Sequence, residues 1–250
     1  SGRVLASLNA DQRMEPASIT KLMTAYVVFR SIREKRIGLN DLAPISETAW
    51  RSGGATSGGS TTFLDVGSRV PVETLLKGMI IQSGNDASVA LAEYVSGTEE
   101  AFAVLMNQYA KELGLAASSF RNATGLPDPQ HYTTAADIAR LGSAIVREFP
   151  EYYRWYSEKQ FTHNGITQGN RNGLLFRDPT VDGMKTGFTE SAGYCLVTSA
   201  LRDGMRLISV VLKTDSPRAR ERASETLLAY GFRFYETKPL FTPGTPVQNV

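Results

Sequence analysis

The chain has 250 residues, of which 42% are hydrophobic, and its formal net charge is +2. This length and apolar content allow one domain, or one domain with a subdomain, around a sizeable core. The near-neutral charge gives no reason to expect a nucleic-acid partner. One cysteine and two histidines cannot form an internal disulfide or a zinc site of the usual Cys/His type. No apolar run approaches the ~20 residues that span a bilayer, so no transmembrane helix is expected.

The first sixty residues predict a strand, a long helix and a loop. RVLASLN (3–9) alternates loosely between apolar and polar residues and predicts the strand. The helix is predicted from about Ala17 to Lys35, and Gly38 ends it. RSGGATSGGS (51–60) is rich in glycine and serine, which predicts a mobile surface loop.

Four helices are predicted in the middle of the chain, where apolar residues recur every three or four positions. They cover about 71–82, 86–95, 99–115 and 135–149. Pro71 opens the first of them. Thr134 and Asp137 form a start that resembles a capping box for the last.

The pattern changes to strands from about Lys159. The β-like runs are KQFTHN (159–164), GMKTGFT (183–189), GYCLVTSA (193–200) and MRLISVVL (205–212). The turn LRDG separates the last two, which predicts a meander. Pro217 opens a final amphipathic helix that runs through Tyr230.

This order of elements predicts one α/β domain over residues 1–236. Both ends of the sequence, about 1–60 and 158–236, would build the sheet, and an all-helical subdomain of about 61–157 would be inserted between them. Residues 237–250 contain three prolines and no core pattern. They are interpreted as the start of a linker to an absent C-terminal domain.

The stretch EPASITKLMTAY places Ser18 and Lys21 three positions apart where an apolar run begins. On a helix the two residues share a face, so the lysine can reach the serine hydroxyl. The spacing alone is weak, because roughly one S-x-x-K arises by chance in a chain of this length. A helix N-cap serine with an outward-reaching lysine would explain it equally well.

Two further motifs strengthen the case for a catalytic site. QSGND places Ser83 and Asn85 at the junction of two predicted helices, and DGMKTGFT places Lys185, Thr186 and Gly187 on a predicted strand. Each has a structural explanation by itself, a helix cap and an edge strand with a solvated lysine. A K-T-G triplet arises by chance in only about one in twenty chains of this size. The three motifs in this order favour one shared site.

The set S-x-x-K, S-D-N and K-T-G is the signature of class A β-lactamases and penicillin-binding proteins. With S-G-N in the middle, and with NGITQGNRNGLL and GYCLVTSA, the chain resembles the low-molecular-mass penicillin-binding proteins that act as D-alanyl-D-alanine carboxypeptidases. The likeness runs over about residues 1–236. It implies a β-lactamase/transpeptidase-like α/β fold, with a mainly antiparallel central sheet flanked by helices and an inserted all-helical subdomain. It implies no cofactor and no metal.

The chemistry of the three motifs suggests a role for each polar side chain. Ser18 is the candidate nucleophile, and a neutral Lys21 the base that takes its proton. Burial and a second cation, for which Lys185 is the candidate, would lower the pKa of Lys21. Ser83 could relay a proton between Lys21 and the leaving amine. Asn85 could hold the substrate's peptide group or the Lys21 ammonium.

Substrate binding is expected along the K-T-G strand. Thr186, Gly187 and the strand edge would pair with an extended peptide as an added strand. In relatives two backbone N–H groups hold the oxyanion, and here they would belong to Ser18 and Phe188. Some relatives carry histidine at the position of Phe188. Arg171 matches the family position that binds a terminal carboxylate, which a guanidinium does with two parallel hydrogen bonds.

Other functions fit less well. Neither His131 nor His163 has the context of a triad base, and the chain has no G-x-S-x-G elbow. A class A β-lactamase would need an E-x-x-L-N segment, which does not occur between Asn85 and Lys185. A β-lactam sensor or peptidoglycan-binding module stays open, because such sensors are also acylated.

The resemblance implies the partners and the location. The substrate would be a peptidoglycan pentapeptide that ends in D-Ala-D-Ala, and β-lactams would be covalent inhibitors. The expected cellular location would be the periplasm or cell envelope. Relatives begin some tens of residues earlier with another strand, and continue into a β-rich domain and a membrane anchor. Membrane attachment is therefore expected only through such an anchor, which this sequence does not include.

Overall fold

The structure is a computed structural model and describes residues 2–53 and 59–238. The eight helices in this part of the chain are α1 (Lys21–Arg33), α2 (Glu47–Gly53), α3 (Val72–Lys77), α4 (Asn85–Ser96), α5 (Glu99–Glu112), α6 (Ala135–Glu148), α7 (Pro150–Tyr153) and α8 (Pro217–Phe234). The predicted helices are therefore confirmed, whereas α2 and α7 were not predicted. No described helix is both long enough and apolar enough to cross a bilayer.

Helix α1 lies at the centre of the helical part. A 3-10 turn, Ala17–Thr20, leads into it, and every residue of 21–29 is buried. Helices α4, α5 and α6 all contact α1. The ring of Phe29 lies 4.9 Å from that of Tyr152 and 5.4 Å from that of Phe149. Because residues 21–29 of α1 are all buried, a lysine in its first turn has little access to water.

Seven described strands form three antiparallel sheets. The strands are β1 (Leu42–Pro44), β2 (Arg69–Pro71), β3 (Gln160–His163), β4 (Ile166–Gly169), β5 (Val181–Thr189), β6 (Gly193–Arg202) and β7 (Met205–Thr214). β1 pairs with β2, β3 forms a hairpin with β4, and the largest sheet has the order β5-β6-β7. The four predicted strands after residue 158 are confirmed, whereas β1, β2 and β4 were not predicted.

Helices cover both faces of the three-stranded sheet. A Cβ on Gly231 of α8 would lie 2.5 Å from Leu207, and one on Gly142 of α6 would lie 3.7 Å from Ile208. Leu207 and Ile208 are neighbours on β7, and successive side chains of a strand point to opposite faces. The sheet is thus enclosed between α8 on one face and α6 on the other.

The N-terminal segment corrects one expectation. Residues 3–9 form no strand, and Val4 and Leu8 are 74% and 88% exposed. A strand needs a neighbour for its N–H and C=O groups, and no described strand pairs with this segment. The largest described sheet consists of β5, β6 and β7 from the C-terminal part of the chain, and the strand predicted at 3–9 is absent.

Two other expectations fall partly outside the described residues. Within the predicted loop 51–60, residues 51–53 end helix α2, and 54–58 are not described. Of the predicted linker 237–250, only residues 237 and 238 are described. The division into a sheet part and a helical subdomain stays a prediction.

The predicted cap of α6 is present and can be tested for its contribution to stability. The Thr134 hydroxyl accepts a hydrogen bond from the backbone N–H of Asp137 at 3.1 Å. Thr134→Ala should lower the free energy of unfolding by about 1 kcal/mol in urea titrations, because that N–H loses its acceptor. Thr134→Ser keeps the acceptor and is the matched control. Equal losses in the two variants would contradict a capping role.

Candidate active site

The 3-10 turn that leads into α1 brings Ser18 and Lys21 together. Ser18 is half-buried in the turn, and Lys21 is the first residue of the helix. The Lys21 Nζ lies 3.0 Å from the Ser18 Oγ, within hydrogen-bond distance. The expected contact between the two side chains is therefore present.

Two carbonyl oxygens also contact the Lys21 amine. The side-chain Oδ1 of Asn85, at the start of α4, accepts a hydrogen bond from Nζ at 2.7 Å. The backbone oxygen of Thr124 accepts another at 2.7 Å. Carbonyl oxygens can only accept, so they engage two N–H groups of Lys21 whatever its protonation state. The remaining position on the nitrogen faces Ser18.

The pKa of Lys21 is lowered from 10.5 to about 7. Burial is the largest cause, since the side chain is 1% exposed and an ammonium is poorly solvated there. The positive charge of Arg171 lowers the pKa further, whereas the negative charges of Asp86 and Glu99 raise it. At neutral pH a substantial fraction of Lys21 is therefore an uncharged amine.

Lys185 and Lys21 repel each other in the site. Repulsion between two ammonium groups lowers the pKa of the amine that is protonated at the lower pH. The pKa of Lys185 is lowered well below its ordinary value by burial first, and then by Lys21, Arg171 and Arg220. Arg171, which was predicted only as a substrate contact, also lowers the pKa of Lys21.

Strand β5 passes directly beside the Ser18 turn. A Cβ on Gly187 would lie 3.0 Å from the Pro16 carbonyl oxygen and 3.3 Å from the Ala17 Cβ, so only glycine fits without a shift. Lys185 and Thr186, just before it, are 2% and 5% exposed. The Lys185 Nζ donates to the Thr186 carbonyl oxygen at 3.2 Å. The K-T-G motif is thus brought to the Ser18 turn.

Ser83 and Asn85 lie where a π-helical turn, Gly78–Gln82, meets α4, as the sequence predicted. Ser83 has a left-handed backbone with φ of 71° and is 2% exposed. Its hydroxyl has no hydrogen-bond partner among the described residues. A buried hydroxyl without a partner is costly, which is expected of a group that meets a ligand.

Arg171 and Phe188 border the site. With the Gln82 amide oriented so that its oxygen accepts, the Arg171 Nη2 donates to it at 2.9 Å. This contact holds the guanidinium against Gln82, the residue before Ser83, while Arg171 remains exposed to solvent. The Phe188 ring is 49% exposed and stacks on Tyr194 with ring centres 4.2 Å apart.

Some residues of the site were not identified from the sequence. The Thr124 contact uses a backbone carbonyl, which any residue could supply, so no side-chain pattern marks it. Arg220 of α8 donates from Nη1 to the carbonyl oxygens of Gly187 and Cys195 at 3.1 and 3.3 Å. It lies in a run of basic residues, RARER (218–222), which is typical of a solvated helix face, yet it is only 8% exposed.

The two histidines do not contact the Ser18 hydroxyl in any described hydrogen bond. His131 lies 2.8 Å from the Thr20 hydroxyl, and His163 stacks on Phe161 in the β3–β4 hairpin. No cluster of three or more His, Cys, Asp or Glu side chains suited to a metal ion occurs among the described residues.

The profile of the D-alanyl-D-alanine carboxypeptidase family matches residues 1–216. The chain belongs to this family. It is 51% identical to D-alanyl-D-alanine carboxypeptidase DacC of Escherichia coli over 239 residues, which cover 95% of this chain and 60% of that protein. It is 47% identical to DacA of Haemophilus influenzae over 251 residues, covering all of this chain and 63% of that protein. The chain thus spans about three fifths of the length of these curated relatives.

Solved structures show the same fold. Penicillin-binding protein 5 from Haemophilus influenzae matches with a TM-score of 0.90 and 47% identity, over 93% of this chain and 68% of that one. The Streptomyces K15 DD-transpeptidase matches with a TM-score of 0.85 and 30% identity, over 92% of both chains. The predicted β-lactamase/transpeptidase-like α/β fold and the family resemblance are confirmed.

The pKa of Lys21 predicts the pH dependence of any reaction that uses it as a base. Below about pH 7 the amine is mostly an ammonium, which cannot accept a proton. The rate of Ser18 acylation by benzylpenicillin should therefore fall about tenfold per pH unit below that value and level off above it. Stopped-flow measurements from pH 5 to 9 test this.

Two variants serve as controls for this pH profile. Lys21→Ala should abolish acylation at every pH, and Lys111→Ala, on the outer part of α5, should leave the profile unchanged. A flat wild-type profile between pH 5 and 9 would contradict a titrating base.

Proposed function

We propose that the chain is a serine D-alanyl-D-alanine carboxypeptidase domain, which removes the terminal D-alanine from peptidoglycan stem peptides through an acyl-enzyme. The observation that carries the proposal is the buried Lys21 amine, with a pKa of about 7, placed 3.0 Å from the Ser18 hydroxyl. Membership of the family supports the choice of substrate.

The first chemical step is acylation of Ser18. Its Oγ attacks the carbonyl carbon of the penultimate D-alanine while the Lys21 lone pair takes the hydroxyl proton. The oxygen of the tetrahedral intermediate, now negative, would accept hydrogen bonds from the N–H groups of Ser18 and Phe188. The close approach of Gly187 to the Ser18 turn supports this pairing, since it brings the K-T-G strand beside the turn.

The second step expels the terminal D-alanine. Its nitrogen needs a proton as the peptide bond breaks, and the Lys21 ammonium holds the one taken from Ser18. Ser83 is assigned to carry it, because its buried hydroxyl has no other described partner. Asn85 holds Lys21 in place through Oδ1. Water then attacks the ester, Lys21 again acts as the base, and the shortened peptide leaves.

Recognition of the free carboxylate is assigned to Arg171 and Thr186. A guanidinium forms two parallel hydrogen bonds with a carboxylate, and Arg171 has no described salt bridge that would compete for it. The buried amine of Lys185 lies in the same site. β5 ends the order β5-β6-β7, so its outer edge can pair with an extended peptide, with Gly187 allowing close approach.

β-Lactams are proposed as covalent inhibitors. They would acylate Ser18 in the same way, but the opened ring stays attached and obstructs the water. Relatives include penicillin-binding protein D2 of Listeria monocytogenes, whose structure is described as ampicillin-bound. Because peptidoglycan lies in the cell envelope, a protein that acts on it would be located in the periplasm or cell envelope. Attachment to the inner membrane through a C-terminal anchor stays a prediction.

One pair of assays separates the proposed function from its alternatives. The chain should release D-alanine steadily from diacetyl-Lys-D-Ala-D-Ala, and intact-mass spectra after penicillin treatment should show one adduct on Ser18. Rapid multiple turnover of nitrocefin without release of D-alanine would indicate a β-lactamase. A single slow acylation with no release of D-alanine would indicate a sensor. Ser18→Ala is the control for both assays.

Arg171 can be tested as the carboxylate-binding residue. Arg171→Ala should lower kcat/KM for diacetyl-Lys-D-Ala-D-Ala by about 10- to 100-fold, because a charged hydrogen-bonded pair is lost. The assay belongs at pH 9, where Lys21 is mostly neutral with or without the neighbouring charge. Arg177→Ala, which removes an exposed arginine paired with Glu221, is the matched control.

A second substrate separates recognition from general damage. The same peptide with a C-terminal amide lacks the carboxylate, so Arg171→Ala should change its kcat/KM little. An equal loss for both peptides would remove Arg171 from carboxylate recognition.

A further inference from the structure

The loop that supplies the Thr124 carbonyl is closed at its base by two backbone hydrogen bonds. The N–H of Ser119 donates to the Tyr132 carbonyl at 2.8 Å, and the N–H of Tyr132 donates to the Ser119 carbonyl at 3.0 Å. We call residues 119–132 the carbonyl loop. It contains no helix or strand of its own, so its shape depends on contacts with the rest of the protein.

The tip of the carbonyl loop rests on the Ser18 turn and on α1. The Thr24 hydroxyl donates to the Ala123 carbonyl at 2.7 Å. Gly125 has a φ of 85° and touches the Ala17 carbonyl so closely that a Cβ there would collide with it. These contacts place the Thr124 oxygen 2.7 Å from the Lys21 Nζ.

His131 connects the other arm of the loop to the same turn. It is 2% exposed, and its Nε2 lies 2.8 Å from the hydroxyl of Thr20, the residue before Lys21. Its Nδ1 accepts a hydrogen bond from the backbone N–H of Arg121 at 3.3 Å. The ring proton is therefore on Nε2 and is donated to Thr20.

The histidine remains neutral over the pH range in which Lys21 titrates. Burial is the main reason that its pKa is lowered from 6.5 to about 4. The ring also packs edge-on against Phe120, with ring centres 5.7 Å apart. A neutral, fully enclosed imidazole with both nitrogens bonded is suited to holding two segments together.

We propose that His131 is a positioning residue for Lys21. Its bond to Thr20 fastens the carbonyl loop to the Ser18 turn and so keeps the Thr124 oxygen on the Lys21 amine. A neutral amine has two N–H groups and one lone pair. With Asn85 and Thr124 accepting the two N–H groups, the lone pair must point at Ser18. Without the Thr124 oxygen, the amine can rotate and present an N–H to Ser18, which stops proton transfer.

Two substitutions of His131 separate its two hydrogen bonds. In His131→Gln the side-chain nitrogen can occupy the place of Nε2, which keeps the donor to Thr20. In His131→Asn the shorter amide reaches only the place of Nδ1, which keeps the acceptor for Arg121 and loses Thr20. Thr20→Val removes the same bond from the other side with little change of shape.

The measurement is the limiting rate of Ser18 acylation by benzylpenicillin at pH 8, together with the dissociation constant of the non-covalent complex. His131→Asn and Thr20→Val should each lower the limiting rate by about 10- to 100-fold, because the reacting groups are misaligned. The dissociation constant should stay within about twofold of wild type. His131→Gln should retain most of the rate. The double variant Thr20→Val/His131→Asn should be no slower than the slower single variant.

Stability alone gives a different result. If His131 only stabilises the fold, Gln and Asn variants with equal melting temperatures will acylate at equal rates, and the proposal is wrong. The proposal would also be overturned if the fold-loss of rate in the double variant equalled the product of the two single losses. That result would show that the two residues act independently.

The inference rests on the proposed role of Lys21 as the base, but the two can fail separately. A wild-type chain that penicillin acylates and that releases no D-alanine contradicts the carboxypeptidase proposal alone. If the chain is not acylated, hydrogen exchange of amides 122–126 still reports whether the bond between His131 and Thr20 holds the carbonyl loop against the Ser18 turn. Exchange should be faster in His131→Asn and Thr20→Val than in His131→Gln, and equal exchange in all three would overturn the proposal.

Discussion

The direction of the Lys21 lone pair is the constraint on which the rest of the site depends. Burial makes an uncharged amine available at neutral pH, since it brings the pKa to about 7. Burial alone does not decide whether that amine donates to Ser18 or accepts from it. The carbonyl oxygens of Asn85 and Thr124, each 2.7 Å from Nζ, decide this by occupying both N–H groups.

The fold explains how these groups meet around one nitrogen. Helix α1 is buried along residues 21–29, so Lys21 enters the protein interior at its first turn. The π-helical turn before α4 presents Asn85, and β5 passes so close to the Ser18 turn that a side chain at position 187 would require a shift of the neighbouring atoms. A buried amine without partners would be costly, and these separate segments supply them.

Much of this arrangement could be predicted from the sequence, and the failures have physical causes. The helices and the strands after residue 158 follow from local periodicity, and Ser18 and Lys21 meet because a short spacing on a helix fixes their contact. Residues 3–9 were misassigned because alternation shows that a segment could be a strand, not that a neighbour exists to pair with it. The Thr124 oxygen carries no signature at all, because every residue has a backbone carbonyl.

The pKa values of the cations could not be predicted from the motifs, because they depend on burial and distance. S-x-x-K and K-T-G indicated that Lys21 and Lys185 share a site. They did not indicate that Arg171 would lower the pKa of Lys21 or that Arg220 would lower that of Lys185.

The crowding of Lys21, Lys185, Arg171 and Arg220 has a thermodynamic consequence for ligand affinity. None of the four forms a salt bridge with a carboxylate among the described residues. An incoming anion would stabilise the protonated amines, so its binding must be accompanied by proton uptake from solvent. Affinity for a carboxylate then weakens as the solution becomes more alkaline, while the competence of Lys21 to remove a proton increases. These opposing trends confine efficient turnover at low substrate concentration to an intermediate range of acidity.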